Sequence, residues 1–101
     1  LWRQMLAKNL TTCVEDDVIE RSDCHAWGSL ILYELPAVVL GVQPAEPGYA
    51  SVRVSPTPGY LSWAKGEVAT PRGHVKVSWK KTDDGSIDLN IEAPDEMKCL
   101  F

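Results

Sequence analysis

HVKVSWKKTDDGSIDLNIE, residues 74–92, decides the fold. Val75, Val77 and Trp79 alternate with Lys76, Ser78 and Lys80, and Ile87, Leu89 and Ile91 alternate with Asp88 and Asn90. A period of two sends alternate side chains to opposite faces of an extended chain, so both runs read as strands with one apolar face. Between them, TDDGS (82–86) puts Asp84-Gly85 at the tip of a hairpin. Working outward, TPRG (70–73) is another turn signal, and SVRV alternates at Val52 and Val54. Towards the end, Met97, Cys99 and Phe101 alternate again and would open one more strand. Four to six short antiparallel strands with one apolar face read as part of a β-sandwich.

Before the Pro/Gly connector QPAEPG (43–48) the pattern is helical. Leu1, Trp2, Met5, Leu6 and Leu10 recur along one side, predicting the last turns of an amphipathic helix over residues 1–10. Trp27, Leu30, Ile31, Leu35, Val38 and Val39 predict a second helix over residues 24–41. Ser22 or Asp23 is placed to cap its start, and Gly41 suits the left-handed position after its end. Pro36 removes a hydrogen bond from a helix interior at a cost of about 3 kcal/mol, which predicts a kink or break near Tyr33 to Leu35. The expected class is therefore α+β: two N-terminal helical segments, residues 1–42, then an antiparallel β-sandwich-like sheet, residues 43–101. The chain starts inside a helical pattern and stops at MKCLF, so both ends read as cut from something longer.

The composition narrows the function. With 45% apolar and 24% charged residues, the 101-residue chain suits one globular domain of modest core. A net charge of −4, with Lys80-Lys81 the one basic pair, argues against a nucleic-acid partner. The longest apolar run, Ala26 to Val42, contains Glu34 and Pro36 and falls short of a membrane span. The three cysteines, Cys13, Cys24 and Cys99, form no C-x-x-C pair. Cys24 and His25 are adjacent, but nothing nearby completes a zinc site, so neither metal nor cofactor is expected.

The chemistry-bearing residue types gather in TTCVEDDVIERSDCHAWGS (11–29), which holds Glu15, Asp16, Asp17, Glu20 and Asp23 just ahead of His25 and Trp27. Taken by type alone, Asp16, Asp17 and Glu20 are solvated loop acids, His25 is a hydrogen-bonded structural residue and Trp27 is core. The sheet half contributes no comparable cluster.

Three phrases in order change that reading. They are T-T-x-x-E (Thr11 to Glu15), S-x-x-H-A-W-G (Ser22 to Gly28), and L-G-V-x-P with P-G-Y (Leu40 to Tyr49) followed by T-P-x-G-x-V-x-V-x-W (Thr70 to Trp79). Together they resemble the C-terminal end of bacterial α-L-rhamnosidases, inverting glycoside hydrolases with an α/α-barrel catalytic domain, and the resemblance covers essentially the whole chain. It implies that residues 1–42 end the barrel and that residues 43–101 are the β-sandwich that follows it. It also implies that Glu15 is the general base, that His25 contacts the sugar, and that the substrates are rhamnose-containing glycosides or polysaccharides. An inverting glycosidase sets two carboxyl groups about 6.5–9.5 Å apart, with water between one of them and the sugar. The partner acid and the aromatic pocket walls would lie upstream. The isolated chain is therefore expected to be inactive, and to self-associate through helix faces that lack their barrel neighbours.

A different class of function competes. The sheet half would then be a non-catalytic structural or carbohydrate-binding module, with Tyr60, Trp63 and Trp79 as candidate stacking rings. Trp79 is in phase with Val75 and Val77 and is expected inside; Tyr60 and Trp63 are free to face either way.

Overall fold

The computed structural model describes residues 1–16 and 21–101. The reading of Asp17 and Glu20 as solvated acids lies outside the described residues. The chain forms two compact units, Leu1–Tyr33 and Glu34–Phe101.

In the first unit, the helical expectation over 1–10 shrinks to α1, Trp2–Ala7. Asn9, at φ 53°, turns the backbone left-handed, and the Leu10 amide donates to Met5 O at 3.0 Å. The predicted helix over 24–41 is replaced by a 3₁₀ turn at Ala26–Ser29, a four-residue α2 at Ile31–Glu34 and a π turn at Leu35–Val39. Neither Ser22 nor Asp23 caps it; His25, in an extended conformation, is the residue before the 3₁₀ turn and caps with no side-chain bond. Trp27, expected in a core, is 84% exposed.

The second unit opens on that π turn. Pro36 has no amide to donate back to Leu32 O, so the α ladder is interrupted there, and the Leu40 amide donates five residues back to Leu35 O at 3.0 Å. Gly41 follows at φ +77°, as expected after a helix end. A side chain here would meet Ser55 backbone atoms at 2.2–2.3 Å and the Pro56 nitrogen at 2.4 Å, so the chain can turn into the sheet only through glycine.

Six strands follow: β1 Val42–Pro44, β2 Ser51–Val54, β3 Trp63–Thr70, β4 Gly73–Lys81, β5 Ile87–Glu92 and β6 Lys98–Leu100. They make two three-stranded sheets, β1-β2-β6 and β3-β4-β5. All pairings are antiparallel except β2 with β6, which run parallel, with Val52 opposite Cys99. Val42, Val52 and Val54 from one sheet and Val75, Val77 and Trp79 from the other share one apolar cluster with Leu40 and Met97. The inward phase of 75–79 is as its alternation predicts. Each fully buried valine contributes about 1.5–3 kcal/mol over an exposed one, so this cluster dominates the stability of the unit. Trp79 also donates its indole N–H to Val39 O at 2.8 Å, pinning the π turn to the middle strand. The hairpin tip is at Asp84-Gly85, where the Thr82 amide donates to Ser86 O at 2.9 Å.

Candidate functional site

The 11–29 stretch folds back on itself by two backbone bonds. The Glu15 amide donates to Ser22 O at 2.9 Å, and the His25 amide donates to Cys13 O at 2.7 Å. The pairing brings its two limbs together and sets Glu15 beside His25. Val14, the neighbour of Glu15, is buried and anchors one limb. The other limb is tied to α1, where Trp2 donates its indole N–H to Gly28 O at 2.7 Å.

The two residues singled out from the sequence therefore meet. His25 Nδ1 lies 3.9 Å from Glu15 Oε2, and both side chains are about three-quarters shielded from solvent, at 30% and 25% exposure. At 3.9 Å the contact is longer than a hydrogen bond and becomes an ion pair only when the imidazole is protonated. The other carboxylate oxygen, Oε1, takes the Arg21 guanidinium at 3.1 Å. Arg21 escaped the sequence reading; its signal was a lone cation closing an acidic run. The His25 ring stands edge-on to Trp27, centroids 5.7 Å apart. A shallow hollow of about 200 Å³ lies beside His25, bounded by Thr12, Cys13, Cys24 and Ser29; Glu15 does not line it. Asp16 and Asp23 are exposed. Chemically, the arrangement is a half-buried carboxylate held on one side by a cation, with its second oxygen facing an imidazole.

Among the described residues, no three His, Cys, Asp or Glu side chains gather in a metal-binding arrangement, and no helix is long and apolar enough to cross a membrane. In the sheet unit Trp79 is buried, whereas Tyr60 is fully exposed and Trp63 is 64% exposed.

A solved GH78 family rhamnosidase from Bacillus sp. GL1 superposes with a TM-score of 0.83 at 36% identity, covering 97% of this chain and 12% of that one. The α-L-rhamnosidase of Dictyoglomus thermophilum superposes at 0.74 with 25% identity, over 95% of this chain and 11% of that one. A Streptomyces avermitilis α-L-rhamnosidase, solved with L-rhamnose, shares the fold at 0.76 and 23% identity, covering 97% of this chain and 11% of that one. An α-L-rhamnosidase of Alteromonas sp. (strain LOR) is 36% identical over 64 residues, 62% of this chain and 7% of that protein. The chain thus spans about a tenth of the relatives it matches. The bacterial α-L-rhamnosidase C-terminal domain matches residues 41–100, from the turn glycine to the end of β6. With more than half of its length in that match, this chain belongs to the bacterial α-L-rhamnosidase C-terminal domain family.

Proposed function

We propose that the chain is the closing part of an inverting α-L-rhamnosidase that removes terminal α-L-rhamnosyl residues from glycosides, and that it brings the general base to that enzyme's active site. Residues 1–42 end the catalytic α/α barrel, and residues 43–101 form the domain after it. Glu15 activates the attacking water, and His25 binds a sugar hydroxyl. The observation that carries the reading is the geometry at Glu15. Arg21 holds Oε1 at 3.1 Å, which leaves Oε2 on the His25 side as the oxygen able to take a proton from water. Two backbone bonds fix the limbs that carry these groups, so the carboxylate is set before substrate arrives.

An inverting mechanism needs a second carboxyl group, in its acid form, on the far side of the scissile bond. That group belongs upstream of residue 1. The isolated chain therefore turns over no aryl α-L-rhamnoside. The decisive experiment is Glu15→Gln in the longer enzyme that carries this segment. Loss of turnover by at least about a hundredfold with sugar binding retained supports the assignment, a general base alone contributing roughly 10²–10⁴-fold. Near-normal turnover removes Glu15 from the mechanism.

A second reading, a non-catalytic bracing or carbohydrate-binding module, is favoured by one observation: the family match covers 41–100 and leaves Glu15 and His25 outside it.

A further inference from the structure

The outer face of the β3-β4-β5 sheet divides into two ends of different character. At one end the charges satisfy each other across strands: Glu67 pairs with His74, and Lys76 pairs with Glu92 at 3.3 Å. At the other end Trp63, Lys80 and Asp88 form one cross-strand row, and Lys65, Ser78 and Asn90 form the next. Lys80 and Asp88 are register partners, yet no ion pair within 4.0 Å joins them among the described residues. Short Ser78, on the middle strand between longer neighbours, leaves a depression of about 310 Å³ that these six residues line. That is the lower end of the range of small-molecule sites.

A lone exposed aromatic means nothing by itself. Here an indole that is 64% exposed borders an open depression whose lining also includes Ala64 and Trp79 and brings an amide, a carboxylate, a hydroxyl and two ammonium groups, with no ion pair joining these polar groups to one another. A pyranose ring has the complementary form. Its C–H face is flat and apolar and stacks on an indole, while its rim hydroxyls need both donors and acceptors to replace water. The depression offers donors at Lys65, Lys80 and Asn90, and acceptors at Asp88, Asn90 and Ser78. Its cations are interleaved with Asp88 rather than run together, which disfavours a polyphosphate chain.

We propose that this end of the sheet is a saccharide-binding surface, with Trp63 as the stacking platform and Asp88 and Asn90 as the hydroxyl-reading groups. The site is independent of Glu15 and stands or falls separately from the catalytic reading. It would hold a glycan chain against the sheet unit, with the weak, millimolar affinity that an open surface allows.

The test follows the indole N–H resonance of Trp63 in the 101-residue chain, assigned by its disappearance in Trp63→Phe, during titration with L-rhamnose, with cellobiose and with adenosine as a stacking control. Saturable shifts with at least one of the sugars are expected. They should be lost in Trp63→Ala, weakened severalfold in Asp88→Ala and unchanged in Glu67→Gln at the paired end of the face. Because Trp63 is largely exposed, the remaining amide resonances of Trp63→Ala should match the parent and confirm an intact fold. Absence of a shift with either sugar, a shift that survives Trp63→Ala, or a shift with adenosine alone would overturn the proposal.

Discussion

Asp84 shows how one turn residue acquires a measurable electrostatic signature. The Thr82 hydroxyl and the Ser86 amide both donate to its carboxylate, and these bonds favour the charged form, bringing the pKa from 3.8 down to about 2. A carboxyl group depressed in the folded state stabilises the fold fully above its unfolded value. That contribution fades as pH falls from about 4 through about 2. The side-chain carbon of Asp84 should therefore titrate near 2 by NMR, and Thr82→Val should move its midpoint upward; titration near 3.8 in the parent would show that the turn bonds are not formed. At Arg21 the magnitudes separate structure from function. Its side chain is 65% exposed, and exposed pairs contribute only about 0–1 kcal/mol, so Arg21→Ala should barely move the melting temperature. If the guanidinium aims the Glu15 carboxylate, the same change in the longer enzyme should lower kcat about tenfold, equivalent to about 1.4 kcal/mol of barrier, with little change in KM and partial rescue in Arg21→Lys. An unchanged kcat would leave Arg21 a surface pair only. The phrases singled out Glu15 and His25, which the structure brings together, but not Arg21, because its partnership depends on how the limbs of the loop fold together.

Among the elements, legibility followed the size of the inward-facing side chains. β4 and β5 announce themselves because Val75, Val77, Trp79, Leu89 and Ile91 are large and in phase, and Asp84-Gly85 marks the turn between them. β3 is as long as β4 to within a residue, but its less exposed positions are Ala64, Gly66, Val68 and Thr70, and one valine among small or polar residues prints no alternating apolar pattern. Gly66 is small for a tertiary reason: a side chain there would come within 2.5 Å of the Leu40 tip, which fills that space. The parallel pairing of β6 was equally hidden, since a three-residue strand carries no register information until β2 is in place. The helical segment misled in the opposite way. Its apolar spacing is real, yet Trp27, Leu30, Leu35 and Val38 of that stripe are exposed, and the segment ends in a π turn at Leu35–Val39. The junction between that turn and the sheet hangs on Gly41. Gly41→Ala combines a positive-φ penalty with contact on Ser55 backbone atoms that cannot rotate away, so a loss of about 2 kcal/mol or more is expected in urea unfolding. A variant as stable as the parent would show that the approach of Gly41 to Ser55 is looser than described.

For the whole molecule, the two units are unequal in how they bury apolar surface. The second has a continuous cluster from Leu40 to Met97, with Val52 and Val75 fully buried. The first, 33 residues long, buries Met5 and Val14 while Leu6, Trp27, Leu32 and Tyr33 stay between 64% and 84% exposed. A segment of that length rarely encloses a core by itself, and so much exposed apolar surface is unusual for a free monomer. The free chain should therefore associate through residues 1–33, whereas the sheet unit should melt as one cooperative step. Sedimentation equilibrium should show a concentration-dependent mass above that of the monomer. Leu6→Glu with Leu32→Glu should return it to monomer without moving the midpoint of sheet unfolding, because neither residue belongs to the second unit's core. A chain that stays monomeric at high concentration would mean that these side chains find cover within their own unit. A double variant that still associates would place the contact on the sheet, where exposed Trp63 and Ile87 are the next apolar surfaces to test.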